Sequence, residues 1–166
     1  LIQFLEKISG NQLDIQKLKS CQKLSSQASA LWKDILSLSA NVPAPFDALD
    51  MYRHMFPLVT QRGTSRTVQY YEMLRYEVKD RVAKGIGAVK DEQYRLLWDY
   101  LPIYHKMNFF SRILSKRKAA VVTSTFFYPV SGNRCNASAI KNLIPKQNKS
   151  KLTEAWAGDY MGFYPN

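Results

Sequence analysis

Two strand-like segments on either side of a helix-like segment restrict the possible folds most. Residues 95–98 have the composition of a short buried strand, and residues 119–127, AAVVTSTFF, are rich in the β-branched and aromatic residues that favour strands. Between them, apolar residues recur at helical spacing over residues 103–117. Strand, helix and strand joined by short loops form a βαβ unit. The strands, at about 95–98 and 119–126, are therefore predicted to be parallel, with a right-handed connection.

The part of the chain before this unit is predicted to be mainly helical. Apolar residues at steps of three or four, from Leu18 to Leu38, predict a helix over residues 13–39 with Asp14 as its N-cap. A second long helix is predicted within residues 61–85, where Thr64 or Ser65 is the expected cap.

Shorter elements complete the prediction. Asp47 is expected to begin a helix that ends at Pro57, because proline removes a backbone donor. Residues 131–151 are polar and irregular, and residues 152–163 have the pattern of a final helix. The sequence thus predicts an α/β fold in two parts. Residues 1–90 are a helical segment that links or completes a first domain. Residues 91–166 start a second α/β domain of Rossmann-like or flavodoxin-like type.

Charge is distributed unevenly along the 166 residues, whose formal net charge is +11. Between Asp99 and Glu154 the chain has ten basic residues and no acidic one: Lys106, Arg112, Lys116, Arg117, Lys118, Arg134, Lys141, Lys146, Lys149 and Lys151. This stretch favours an anionic ligand or acidic partner, although such runs are often simply solvated. Two cysteines are too few for a disulfide framework, which favours the cytoplasm. No apolar run reaches the roughly 20 residues that cross a bilayer, so no membrane association is expected.

Polar side chains follow both predicted strands where each strand ends. Trp98 and Asp99 end the first strand, and Ser124 and Thr125 end the second. Ligands of open parallel sheets bind at this edge, so these four residues are predicted to bind substrate. Asp99 as a plain helix cap beside a core Trp98 is an equally good interpretation.

Two further residues are candidates for the same edge. Pro102 suits the first turn of the following helix, whose free N–H groups would form a small anion site. His105 is also predicted to bind substrate at this edge, as a candidate acid or base, and an ordinary surface histidine is the alternative. The sequence assigns no catalytic residue.

Several stretches, in order, carry a family resemblance: LWKDILSL with VPAPF, LDMYRHMFPLVTQRGT, YEMLRYEVKDRVAKGIGAV, YRLLWDYLPIY, AAVVTSTFFYPVSG and LTEAWAGDYMGFYPN. On these residues the chain resembles the central part of a subunit of the 2-hydroxyacyl-CoA dehydratase and benzoyl-CoA reductase family, of the 2-hydroxyglutaryl-CoA dehydratase D-component type. The resemblance covers nearly the whole chain.

The resemblance implies the function. Family members have two α/β domains per subunit with a cysteine-bound [4Fe–4S] cluster between them. They act as heterodimers of homologous subunits and receive electrons from an ATP-dependent iron–sulfur activator. They dehydrate 2-hydroxyacyl-CoA, as lyases, or reduce benzoyl-CoA, as oxidoreductases, through one-electron, ketyl-radical chemistry. This chain is expected to supply a pocket wall and part of the subunit interface, and to be inactive alone.

Some residues depart from the family pattern. Cys21 has a core-like position on a helix and Cys135 lies in a polar loop, so no metal ligand is assigned. Tyr100 stands where many relatives look as if they carry glycine, which predicts an altered or filled pocket. The alternative function is a basic helical module that binds nucleic acid or an acidic protein, although nothing matches a named nucleic-acid fold, which makes nucleic acid an improbable partner.

Overall fold

A computed structural model of the protein describes residues 1–127. These residues form α1 (Ile2–Ser9), α2 (Ile15–Ser37), α3 (Ala48–His54), α4 (Phe56–Thr60), α5 (Ser65–Ala83), β1 (Tyr94–Trp98), α6 (Met107–Lys116) and β2 (Ala119–Ser124). Short 3-10 turns, Leu38–Ala40 and Tyr104–Lys106, follow α2 and precede α6. The α/β class is confirmed. The predicted irregular segment, the final helix and Cys135 lie outside the described residues.

Local capping chemistry sets the starts of the two long helices. The Asp14 carboxylate accepts the Lys17 N–H at 2.9 Å, and the Thr64 hydroxyl accepts the Thr67 N–H at 3.3 Å. Each bond satisfies one of the free donors at a helix N-terminus. Both predicted caps are confirmed. None of the helices within residues 1–127 is long and apolar enough to cross a membrane.

The prediction for Pro57 was wrong. The helix that begins after Asp47 ends at His54, and Pro57 lies in the first turn of α4. Proline is compatible with this position because the first N–H groups of a helix have no intrahelical partner. Pro57 therefore marks the start of a helix rather than the end of one.

The strands pair in parallel, as predicted, and the pairing contains one irregularity. Leu96 pairs with Val121, whereas the next residue, Leu97, pairs with Thr123. Val122 is therefore an extra residue in β2, as in a β-bulge. Because side chains alternate between the faces of a strand, the extra residue returns Ser124 to the face of Val121, toward the main core. β2 ends there, two residues before its predicted end.

Helices and sheet share a main apolar core, and a second, smaller buried cluster consists of Ala44, Val89, Ala120 and Val122. The centre of the main core is Trp32 on α2, whose ring contacts Tyr71 on α5 at a centroid distance of 5.5 Å and Phe127 at 5.8 Å. Val121 of β2 belongs to the same main core. The predicted division into domains at residue 90 stays a prediction.

A buried ion pair ties β1 to the end of α2. Arg95 and Glu92 form a 2.6 Å salt bridge, and both side chains are 3% exposed. The Arg95 guanidinium also donates to the carbonyls of Ser39 and Asn41, and the Glu92 carboxylate accepts the Ala44 N–H at 2.6 Å. The pair thus satisfies backbone groups of the loop that leads from α2 to α3.

Asp47, the N-cap of α3, is a second buried acid. Its Oδ1 accepts the Leu49 N–H at 3.0 Å, and Ser111 of α6 donates to its Oδ2 at 3.4 Å. Burial, which disfavours the ionised form, raises the pKa of Asp47 to about 6. Because the pKa in the folded state exceeds that in the unfolded chain, the folded state is favoured at low pH. This contribution is lost as pH rises from about 4 to about 6.

Replacement of Asp47 by asparagine should remove this pH dependence. Asparagine caps helices as well as aspartate does and carries no charge. Asp47→Asn should have the stability of the wild type near pH 4 and a free energy of unfolding higher by about 2–3 kcal/mol at pH 7.5. Urea denaturation at the two pH values tests this. An Asp47→Asn protein that is less stable than wild type at pH 7.5 would contradict it.

Candidate functional site

The carboxyl ends of β1 and β2 form an edge, here called the rim, where Trp98, Asp99, Ser124 and Thr125 meet. The Thr125 hydroxyl donates to Asp99 Oδ1 at 2.8 Å, and the Thr125 N–H donates to the Trp98 carbonyl at 3.2 Å. Parallel pairing brings the two strand ends together, and these bonds hold the residues beyond the strands. Asp99 is exposed, and its Oδ2 accepts no hydrogen bond from residues 1–127. This oxygen can accept a hydrogen bond from a ligand.

Ser124 supports the rim from below. It is fully buried, and its hydroxyl contacts the Tyr52 hydroxyl and donates to the Tyr100 carbonyl at 3.2 Å. The Phe126 N–H donates to the same Ser124 oxygen at 3.2 Å. The Ser124 hydroxyl thus makes its hydrogen bonds within the protein. Ser124 positions the loop after β1.

Tyr52 of α3 is part of the site although it is distant in sequence. Its hydroxyl donates to the Tyr100 carbonyl at 2.6 Å. Burial raises the pKa of Tyr52 to about 12, so the phenol stays protonated and remains a donor at neutral pH. No periodicity in the sequence links Tyr52 to Tyr100, which lies 48 residues later in the loop after β1. The one sequence signal that pointed to Tyr52 was a tyrosine on the buried face of a short predicted helix.

Tyr100 adopts a backbone conformation that favours glycine. Its φ is +63°, in the left-handed region, which costs about 1–2 kcal/mol for residues with a Cβ. Three hydrogen bonds hold it there: its N–H donates to Thr125 Oγ1 at 2.8 Å, and its carbonyl accepts from Tyr52 and Ser124. Tyr100 is 68% exposed, and its ring lies edge-on to Phe126 at a centroid distance of 6.4 Å, so the side chain lies at the protein surface.

Trp98 forms the apolar side of the rim. Its indole N–H donates to the Leu101 carbonyl at 3.1 Å, and its ring packs edge-on against Phe110 of α6 at 5.6 Å. The half-buried indole touches the main core along one side. Asp99 does not cap a helix, because α6 begins only at Met107. The alternative of a core Trp98 is therefore supported, whereas the alternative of Asp99 as a helix cap is not.

Two predictions on the following segment do not agree with the structure. Pro102 is buried in a loop five residues before α6, so it does not start that helix, and the predicted anion site is wrong. His105 lies in the exposed 3-10 turn and has no hydrogen bond to any described residue. Nothing among residues 1–127 connects His105 to the rim, and its substrate-binding role stays a prediction, like that of the four rim residues.

The described residues do not fit a cysteine-bound cluster. Cys21 is the one cysteine among residues 1–127, and it is half-buried against Gly63. That part of the chain contains no group of three or more His, Cys, Asp or Glu side chains that could hold a metal ion. An iron–sulfur cluster usually needs several thiolates.

Three surface cavities among the described residues lie away from the rim. They have volumes of about 650, 320 and 670 Å³ and lie between α1 and the start of α2, between α3 and α5, and along α5. None includes Trp98, Asp99, Ser124 or Thr125.

Comparison with known proteins identifies the family. The family model for 2-hydroxyglutaryl-CoA dehydratase, D-component, matches residues 1–165. The chain is 31% identical over 135 residues to a benzoyl-CoA reductase subunit of Thauera aromatica, covering 76% of this chain and 31% of that protein. It is 29% identical over 117 residues to the (R)-2-hydroxyisocaproyl-CoA dehydratase alpha subunit of Clostridioides difficile, covering 69% and 29%.

A third relative gives the same result. Over 133 residues the chain is 26% identical to the (R)-2-hydroxyglutaryl-CoA dehydratase alpha subunit of Acidaminococcus fermentans, covering 79% of this chain and 28% of that protein. The chain thus spans 28% to 31% of the length of these three relatives. On the match over residues 1–165, the chain belongs to the 2-hydroxyglutaryl-CoA dehydratase D-component family.

Proposed function

We propose that this chain is part of a subunit of a 2-hydroxyacyl-CoA dehydratase or benzoyl-CoA reductase, and that its rim supplies one wall of the acyl-CoA pocket. The observation that carries the proposal is the Thr125–Asp99 bond at the carboxyl ends of two parallel strands, which is where ligands of such sheets bind. The family match over residues 1–165 favours this function over a basic binding module.

The rim residues suit the binding of a thioester with polar and apolar parts. Asp99 Oδ2 accepts a hydrogen bond from a substrate hydroxyl or from an amide of the pantetheine arm. The Trp98 indole provides a flat apolar surface beside it and excludes water from one side of the acyl group. Thr125 holds the Asp99 carboxylate in place through its other oxygen.

The family resemblance extends the proposal to the whole enzyme. It implies a [4Fe–4S] cluster, one-electron chemistry, a second homologous subunit, an ATP-dependent activator and a cytoplasmic location. Because residues 1–127 do not fit the cluster, its ligands are assigned to other parts of the full-length subunit. The choice between a lyase and an oxidoreductase is left open.

Loss of the rim side chains should weaken acyl-CoA binding. In the full-length subunit with its partner, Asp99→Asn or Trp98→Ala should raise the dissociation constant of an acyl-CoA about tenfold, the effect of one lost hydrogen bond or apolar contact. Titration calorimetry measures it. Asp91→Asn, which neutralises an exposed acid at the other end of β1, is the matched control and should leave binding unchanged.

Two results would contradict the proposal. Binding that is equal in wild type, Asp99→Asn and Trp98→Ala would exclude the rim from the pocket. A full-length complex that binds no acyl-CoA would reject the enzyme function itself. Iron analysis after anaerobic reconstitution tests the cluster separately, because a complex without iron can still bind the thioester.

A further inference from the structure

The loop between β1 and α6 exposes aromatic and apolar side chains beside the rim. Tyr100 is 68% exposed and Tyr104 is 58% exposed, with Leu101 and Ile103 also exposed between them. A single exposed apolar residue on a protein surface is ordinary, but a contiguous group beside a polar contact point is typical of a ligand surface. This loop is therefore a candidate for a role in ligand recognition.

The exposed tyrosines are the ends of a row of four rings, here called the aromatic row: Tyr104, Tyr52, Phe126 and Tyr100. Adjacent ring centroids are 6.3, 6.4 and 6.4 Å apart. The inner rings, Tyr52 and Phe126, are buried or half-buried, which gives the outer rings a fixed support. The two outer contacts are edge-on and the central one, between Tyr52 and Phe126, is stacked, and such contacts hold rings in defined orientations.

The backbone of Tyr100 is held next to Asp99. The left-handed conformation turns the chain immediately after Asp99. The Tyr100 carbonyl, which accepts from Tyr52 and Ser124, and the Tyr100 N–H, which donates to Thr125, keep it in that conformation. Strained non-glycine positions of this type persist where the surrounding structure holds them and are frequent at functional sites. Thr125 Oγ1 joins the Tyr100 N–H to the Asp99 carboxylate, so the two residues share one hydrogen-bond partner at the rim, and the ring of Tyr100 lies edge-on to Phe126.

We propose that Tyr100 is the specificity-determining residue of the rim and that it selects acyl-CoA esters whose acyl group is apolar and uncharged. This inference rests on the proposed function. An apolar acyl group gains contact with the exposed ring of Tyr100, whereas an acyl group that ends in a second carboxylate is repelled by Asp99. Both effects act at the same end of the substrate and in the same direction.

The test compares two thioesters of similar length, 3-phenylpropanoyl-CoA and glutaryl-CoA, with CoA alone as a reference. Titration calorimetry on the full-length subunit with its partner should show about tenfold tighter binding of 3-phenylpropanoyl-CoA than of glutaryl-CoA. Tyr100→Gly, which suits a φ of +63°, should reduce this ratio to about threefold, because the ring contact is lost and the repulsion by Asp99 remains.

Two control variants isolate the role of the ring. Tyr100→Phe keeps the ring and should keep the selectivity. Tyr76→Ala removes an exposed ring from α5, outside the rim, and should not alter the ratio. Thermal unfolding checks that Tyr100→Gly is folded, and Tyr100→Ala, which also removes the ring, gives a second measurement of the ratio.

The outcomes separate this inference from the function on which it depends. A ratio near one in the wild type, or a ratio that Tyr100→Gly leaves unchanged while both thioesters bind, overturns the role of Tyr100 and leaves the acyl-CoA function standing. If CoA and both thioesters all fail to bind, the proposed function and the role of Tyr100 are overturned together.

Discussion

Replacement of Arg95 by methionine should lower the free energy of unfolding by about 3–5 kcal/mol, because it leaves the buried Glu92 carboxylate without its counter-charge. The same change removes the donors to the carbonyls of Ser39 and Asn41, at the exit from α2. Domains of this size are stable by only about 5–15 kcal/mol, so the variant should be close to the limit of folding at 25 °C.

The double variant Arg95→Met, Glu92→Gln separates the charge from the packing. Glutamine keeps an oxygen that accepts the Ala44 N–H and removes the uncompensated charge. The double variant should therefore be more stable than Arg95→Met alone by about 1–3 kcal/mol. Urea denaturation of the three proteins, followed by circular dichroism, gives these differences.

An exposed ion pair of similar length provides the matched control. Lys84 and Asp80 are 2.7 Å apart, but their side chains are 61% and 42% exposed. Lys84→Met should cost less than about 0.5 kcal/mol because water solvates the remaining carboxylate. Equal costs for Lys84→Met and Arg95→Met would show that burial of the Arg95–Glu92 pair does not determine its contribution.

Local chemistry made part of the fold predictable from sequence. Asp14 and Thr64 cap helices through bonds to residues three positions later, so their roles can be read from short stretches of sequence. The parallel pairing of β1 and β2 follows from the strand–helix–strand order. It also brought Asp99 and Thr125 together as expected.

The unpredicted features depend on contacts between distant segments. Arg95 was expected in a buried strand, but its acceptors lie 54 and 56 residues earlier, and no local pattern indicates them. Tyr52 reaches the rim across 48 residues. The extra residue Val122 turns Ser124 toward Tyr52, yet the segment AAVVTS has the composition of a regular strand. The contacts that these residues make could be assigned only from the three-dimensional structure.

Both wrong proline predictions have one cause. Proline lacks an N–H and restricts the residue before it, which indicates that a helix boundary is near. It does not indicate on which side the helix lies. Pro57 begins a helix that it was expected to end, and Pro102 lies in a buried loop before the helix that it was expected to begin.

Truncation of Trp32 to alanine should also cost about 3–5 kcal/mol of unfolding free energy. Its side chain is fully buried between α2, α5 and Phe127, and the missing ring would leave a large cavity. Tyr71 cannot move to fill it, because its hydroxyl is held between the His54 carbonyl at 2.9 Å and the Leu58 N–H at 3.1 Å. Urea denaturation measures the loss, with Tyr76→Ala as the exposed aromatic control, expected to cost less than about 0.5 kcal/mol.

Trp32→Phe should cost only about 1 kcal/mol, although it too removes part of the ring system. The indole N–H of Trp32 has no hydrogen-bond partner among residues 1–127, and a buried unpaired donor costs about 1–3 kcal/mol. Phenylalanine removes that donor, which offsets much of the lost apolar contact. If Trp32→Phe proves as damaging as Trp32→Ala, removal of the unpaired donor does not offset the lost contact, and the expected gain from that donor is contradicted.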